Sequence, residues 1–406
     1  MCPITPATPG VIVPGSSDFA ARAPRADLRR ETSFGGTPSL GAPENASFSS
    51  VLSPQSKGKE IFVTRLNPRT TSADMIAARC TEVILQPDHY AMRKKVYRDV
   101  GGLYLSPGFH EACVRSALSY KPLPGDVFIV SYPKCGTTWM QHIVYNILNG
   151  HPPPSSMMDC SEQMPFLEFQ GAESAWKMPR PGAIKTHMPF HLHPFSTSAK
   201  YFYICRNPYD CCVSFYHHTR RVPEYEFQDG TFDEFLEMFV DGKADFGDYF
   251  DHLMSWYAHR NDPNVLFLTY EALKKDTATW VLKIASFLGE EYGDKLRGDH
   301  ESLNGILKKT RFESMKRNVD EATKSFYQEI ESTPDNKKPL WARLVKDAIG
   351  ESTMQKPKTG DFMRRGVIGD WKNHFSLQHI KRLKERIVAK TGGTDIMDLW
   401  RDIDLP

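Results

Sequence analysis

One stretch, DVFIVSYPKCGTTWMQHIVYNILNG from Asp126 to Gly150, constrains the fold more than any other. Val127, Phe128, Ile129 and Val130 make a short apolar, partly β-branched run of strand length. Tyr132-Pro133-Lys134-Cys135-Gly136 breaks that run with turn-forming residues. Trp139, Ile143, Val144, Ile147 and Leu148 then recur at helical spacing, with Gly150 as the stop and Pro152-Pro153-Pro154 enforcing it. A strand that feeds a tight loop into a helix N-terminus is an anion site. Backbone N–H groups there lack intrahelical partners, and the helix dipole favours negative charge. Lys134 adds a full positive charge, and Thr137 and Thr138 add hydroxyl donors. The stretch reads as a phosphate cradle.

The same plan recurs downstream. Ala183 to His187 reads as a short strand with a polar end, and Tyr201 to Cys205 as a strand leading through Arg206-Asn207-Pro208 into a helix from about Asp210. Val265 to Tyr270 is a third, followed by a helix over 277–288 with Trp280, Ile284, Phe287 and Leu288 on one face. Strands alternating with helices predict a single α/β domain with a central parallel sheet flanked by helices and a P-loop-like strand–loop–helix. Ligands then bind beyond the carboxyl ends of the strands. Lys134, His187, Arg206 and Tyr270 all stand at or just past such an end.

Residues 1–60 are rich in Pro, Ser, Gly and Ala and poor in large apolar residues, so they are expected to be disordered. Residues 61–95 read as a short helical lead-in, with an amphipathic helix over 71–85. The globular domain is expected over 96–400. Within it, 318–357 is polar, charged and interrupted by proline, which predicts a surface insertion or lid containing one amphipathic piece, Leu340 to Ile349. Trp371, Phe375, Leu377, Ile380, Leu383 and Ile387 predict a docking helix at the end.

Net charge is only +2 at neutral pH, which excludes a general polyanion binder such as a nucleic-acid protein. Eight cysteines without CxxC spacing predict neither a metal site nor a disulfide framework, and Cys211-Cys212 are expected to pack in a helix. No apolar run is long enough to span a membrane, and no compact signal sequence opens the chain. The expectation is a cytoplasmic protein with no metal, membrane or nucleic-acid partner.

The order of residues in the cradle discriminates further. A Walker loop places its lysine after the second glycine, whereas here Lys134 precedes Gly136. YPKCGTTW resembles the 5′-phosphosulfate loop of the cytosolic sulfotransferases, which transfer sulfuryl from 3′-phosphoadenosine-5′-phosphosulfate (PAPS) to small acceptors and release PAP. Five further segments resemble that family in order: IKTHMP at 184–189, YICRNPYD through VSFYH at 203–217, TYE at 269–271, TRFESMK at 310–316 and FMRRGVIGDWKNHF at 362–375.

The resemblance implies roles. His187 would be the general base, Lys134 would aid the leaving group, Lys185 would neutralise the transferring sulfuryl group, and Ser214 would restrain Lys134. Cys135, Gly136, Thr137 and Thr138 would hold the 5′-phosphate. Arg206, Ser214, Arg364 and Arg365, with Phe362, Met363 and Gly366 in the same loop, would hold the 3′-phosphate. Trp139, Tyr270, Thr310, Phe312 and Met315 would line the adenine site. For the acceptor, the aromatic candidates are Phe166, Phe169, Phe190, His217, Tyr249 and Phe250, which suit a phenol, catecholamine or steroid-like alcohol or an aryl amine.

Three departures stand out. Cys135 occupies the usual serine position, and a thiol at a helix N-terminus beside a lysine is of the readily oxidised kind. Lys381 stands at the glutamate position of the family's dimer motif, which predicts a monomer or an atypical dimer. The stretch after Met315 is long. Competing readings are a carbohydrate or protein sulfotransferase, a small-molecule kinase, and a nucleotide-binding member without catalysis.

Overall fold

The computed structural model describes residues 96–406. The expectations for 1–60 and 61–95, including the helix over 71–85, lie outside the described residues. A two-stranded antiparallel hairpin, β1 (Arg98–Val100) and β2 (Leu103–Leu105), comes first. Four strands follow: β3 (Val127–Val130), β4 (Ala183–Thr186), β5 (Lys200–Cys205) and β6 (Val265–Thr269). They form one parallel sheet in the order β4-β3-β5-β6. The three predicted strand–loop–helix units are present, and the helix over 277–288 has the predicted limits.

The sheet is apolar on both faces because both are covered. Phe128, Val130, Ile184, Tyr201 and Tyr203 point into the larger core, where Trp256 of the Tyr249–Tyr257 helix is fully buried. Val127, Ile129, Phe202, Ile204 and Leu268 point the other way. They meet Met140, Ile143 and Val144 of the Thr137–Asn149 helix and Val281 and Ile284 of the Thr277–Leu288 helix. Alternate residues of a strand thus serve different cores, as its period of two requires.

Register is fixed at the head of the sheet. Asp126, fully buried before β3, accepts hydrogen bonds from Tyr120 Oη (2.6 Å), the Leu123 amide (2.7 Å) and Arg180 Nε (3.0 Å). Cys211 and Cys212 are buried in the Pro208–Arg221 helix, as expected.

Within the polar stretch 318–357, residues 318–332, 340–349 and 351–354 are helix. A continuous helix, Phe312–Ser332, runs through position 318, so no boundary falls there. Met315, Val319, Ala322, Phe326 and Ile330 form its buried stripe, a pattern diluted in the sequence by surrounding charges. Phe326, Tyr327 and Ile330 join Trp341, Val345 and Ile349 of the Leu340–Ile349 helix in a third core. At the end of the chain, the Leu377–Thr391 helix docks through Leu383, while Leu377 at its first turn is 85% exposed and takes no part. Among the described residues no helix is long and apolar enough to cross a membrane.

Replacing Asp126 with alanine leaves the Arg180 guanidinium and the Tyr120 hydroxyl without their shared acceptor. The expected cost is about 3 kcal/mol of unfolding free energy, measured by denaturant titration; a change under about 1 kcal/mol would show that other contacts set the register.

Candidate active site

The parallel register brings the carboxyl ends of β3, β4, β5 and β6 to one edge, and a cavity of about 1340 Å³ opens there. Lys134, Lys185, His187, Arg206 and Tyr270 all line it. Beyond β3 the loop turns so tightly that Lys134 takes a left-handed φ of 70° and Gly136 one of 110°. A Cβ on Gly136 would also stand 2.9 Å from the Tyr270 ring. Gly136 caps the Thr137–Asn149 helix without a side-chain acceptor, so its first amides stay free for a ligand. Thr137 Oγ1 is tied to Ser131 Oγ at 2.6 Å.

Cations converge on this edge with little compensation. Lys134 Nζ lies 4.1 Å from the centre of the Phe362 ring, and Lys185 Nζ 4.1 Å from that of Phe166. Burial, with Arg221, Lys185 and Arg206 adding repulsion, lowers the Lys134 pKa to about 7. Burial likewise lowers Lys185 to about 8, against the attraction of Glu168. Arg206 sits 4.6 Å from the centre of the Tyr270 ring and donates to Val367 O at 2.9 Å. Arg364 and Arg365 both hydrogen-bond Asp370. Asp210 pins their loop by accepting from the Gly369 and Trp371 amides at 2.8 and 3.0 Å. Gly366 (φ 63°) lies so near Phe312 that a Cβ would meet the ring at 2.3 Å.

His187 is buried, and its Nδ1 lies 2.6 Å from Ser131 O. A carbonyl only accepts, so Nδ1 carries the proton and Nε2 keeps its lone pair. Burial and the Lys185 charge hold the imidazole pKa well below its ordinary value, so the ring is neutral at pH 7. Glu168 orients the same strand end, accepting from the His187 amide at 2.6 Å and Thr186 Oγ1 at 2.8 Å. Burial raises its carboxyl pKa to about 7.

Gly136, Thr137, Thr138, Trp139, Ser214, Thr310, Phe312 and Met315 also line the cavity, as do Phe362, Met363, Arg364, Arg365 and Gly366. Trp139 packs edge-on to Tyr270 with its Nε1 buried and unpartnered. Free amides at a helix start, buried cations and an unpartnered indole suit a multiply anionic nucleotide of the PAP type.

Of the six acceptor candidates, Phe166 and Phe169 line the cavity, and four do not. Phe190 packs against Trp256 and His259. Tyr249 is core and donates to Arg206 O at 2.5 Å, with Phe250 buried edge-on against it. His217 turns toward His374. Its neighbour His218 faces the cavity instead, because adjacent helical residues point about 100° apart. Phe109, Met164, Tyr225 and Phe246 also line the apolar wall, and no motif marked them. Cys135 points away from the loop: its thiol is fully buried, 3.7 Å from Cys211 Sγ. The expected oxidation sensitivity therefore fails on access. Among the described residues no cluster fit to hold a metal is found.

A family described as "Sulfotransferase domain" matches residues 124–395, more than half of the chain. The chain belongs to the sulfotransferase family. This sulfotransferase is 32% identical to rat sulfotransferase 1C2 over 68% of its own length and 87% of the relative's. It is 33% identical to rabbit amine sulfotransferase over 63% and 77%. Its fold matches that of mouse sulfotransferase SULT7A1 complexed with PAP: TM-score 0.56, 26% identity, 76% of this chain and 98% of that one. Retinol dehydratase, solved with androsterone and PAP, shares the fold at TM-score 0.53 and 23% identity, over 76% and 96% of the two chains.

A depressed lysine pKa has a testable sign. An anion at the loop would be held by the protonated Lys134, and that form is lost in the free protein as pH rises through about 7. PAP affinity is expected to fall at least about tenfold between about pH 7.5 and 9.5, read by tryptophan fluorescence, and to fall less in Lys134→Arg. A flat profile would mean that neither Lys134 nor Lys185 contacts the ligand.

Proposed function

We propose that this sulfotransferase moves a sulfuryl group from PAPS to a hydroxyl or amine of a small aromatic acceptor, with His187 as general base. The observation that carries the reading is the His187 ring. It is neutral, tied through Nδ1 to Ser131 O, and leaves Nε2 as an acceptor in a cavity walled by Phe166 and Phe246. PAPS supplies an activated S–O bond. As the acceptor oxygen bonds to sulfur, the bond from sulfur to the phosphate oxygen breaks, its electron pair stays on the phosphate, and the hydroxyl proton passes to Nε2.

The remaining residues serve charge and position. Lys134 and the Gly136–Thr137 amides meet negative charge growing on the 5′-phosphate, and Lys185 meets that on the sulfuryl oxygens. Anions there also offset the Lys185 charge, which adds to burial in holding the imidazole pKa down, and so favour its protonation during transfer. Arg206, Ser214, Arg364 and Arg365 hold the 3′-phosphate, with arginine supplying paired donors. Trp139, Tyr270, Thr310, Phe312 and Met315 enclose the adenine. Lys134, Lys185 and His187 line one aromatic cavity, which favours catalysis over nucleotide binding alone.

Transfer of labelled sulfate from PAPS to phenols, catecholamines, steroids and fatty alcohols tests the activity directly. His187→Ala is expected to lower turnover by at least about a thousandfold while PAP still binds. Turnover within about tenfold of the parent would remove His187 from the base role.

A further inference from the structure

Arg221 ends the Pro208–Arg221 helix and lines the cavity, yet none of the roles above uses it. It is 4% exposed. Among the described residues no carboxylate lies within 4.0 Å of its guanidinium, Nη2 donates to Thr323 Oγ1 at 3.1 Å, and Nε is buried without a partner. Buried arginines without a carboxylate are costly, because the charge gives up water and gains no ion in return. Lys358 lies on the other side of Thr323. Its Nζ donates to Thr323 O at 3.1 Å and sits 3.5 Å from the centre of the Tyr327 ring. Burial lowers its pKa to about 8, partly offset by Glu224.

Counter-charge nearby is short by one. Glu224 faces both cations, accepting from Tyr327 Oη at 2.6 Å through one oxygen while the other is unpartnered. Asp320 and Asp361 are taken up by Lys316, and Asp361 also by Lys324. Asp245 is satisfied by Ser106 N, Ser106 Oγ and Tyr225 Oη. His218 beside them is held neutral, chiefly by burial and then by Lys134 and Arg221. Asp320 attracts Arg221 more strongly than Glu224 does, and Asp361 adds to it, but both are bound by Lys316, so among the described residues Glu224 is the carboxylate beside Arg221 and Lys358 that no other cation holds.

We propose that Arg221, backed by Lys358, forms an anion subsite at the acceptor end of the cavity, and that the acceptor is a hydroxylated compound carrying one acidic group, a carboxylate or an equivalent monoanion. The inference rests on the sulfotransferase reading above. Arg221 also lies 5.8 Å from the centre of the Phe362 ring and repels Lys134, but its side-chain hydrogen bond goes to Thr323, which favours acceptor over donor. Thr323 belongs to the middle of the Phe312–Ser332 helix, next to Phe326 and Tyr327, whereas the donor-side residues of that helix, Phe312 and Met315, lie at its start. The donor's phosphates have their own cations in Lys134, Arg206, Arg364 and Arg365.

Matched acceptors that differ only in the acid group test this: p-hydroxyphenylpropanoate and p-propylphenol. With labelled PAPS the carboxylate is expected to show a kcat/KM at least about tenfold higher, and the ratio should collapse toward one in Arg221→Met and recover in part in Arg221→Lys. Equal or better use of the neutral phenol by the wild-type protein overturns the proposal, as does an unchanged ratio in Arg221→Met. A raised KM for PAPS with the acceptor ratio intact would assign Arg221 to the donor and also overturns it. Calorimetric binding of both compounds to the protein–PAP complex reads the preference without turnover. A tenfold tighter carboxylate without transfer supports the subsite and strikes the sulfotransferase reading; equal binding of the two with active transfer does the reverse.

Discussion

Like charges crowd together at one edge of this molecule, and the rest of the structure depends on holding them there. Three of the site's cations, Lys134, Lys185 and Arg206, come from loops or strand ends of β3, β4 and β5, and only a parallel sheet in tight register could bring those ends to one place. Both lysines hold their protons less firmly than in water, chiefly because burial strips their solvent and, at Lys134, because Arg221, Lys185 and Arg206 also repel it. Two packed cores on opposite faces of the sheet keep the strands from relaxing apart, and Asp126 locks the opposite end of β3. Folding stability is spent on a site that the proposed polyanion would complete, which is the physical content of preorganisation.

The part of the site governed by short-range chemistry was legible in the sequence. The β3 loop, the His187 segment and the Phe362–Gly366 loop each carry a local necessity: a left-handed turn, a strand end, a glycine pressed on Phe312. The acceptor wall was not legible, because its members come from separate segments and share no spacing. Phe109, Phe246 and Phe326 meet only after the chain has folded. His217 and His218 show the limit sharply, since both are histidines on one helix and only the helical phase decides which reaches the cavity. Arg221 was hidden by its position: a basic residue in the last turn of a helix is what the helix dipole alone would favour.

Burial of Cys135 illustrates how a correct local rule can mislead. A thiol at a helix start beside a lysine belongs to a reactive class, but the loop that exposes its amides turns its side chain into the core against Cys211. Backbone and side chain of one residue thus face different environments.

The Phe312–Ser332 helix carries a mechanical consequence. Its first turn carries Phe312 and Met315 and its middle carries Thr323, Phe326 and Tyr327, all lining the cavity, the first pair at the end proposed for the nucleotide and the others at the end proposed for the acceptor. A single rod that walls two compartments cannot tilt at one without moving at the other. On the proposed reading the two ligands would be coupled through this helix, and whatever free energy one gained from the other's presence would be returned in equal measure.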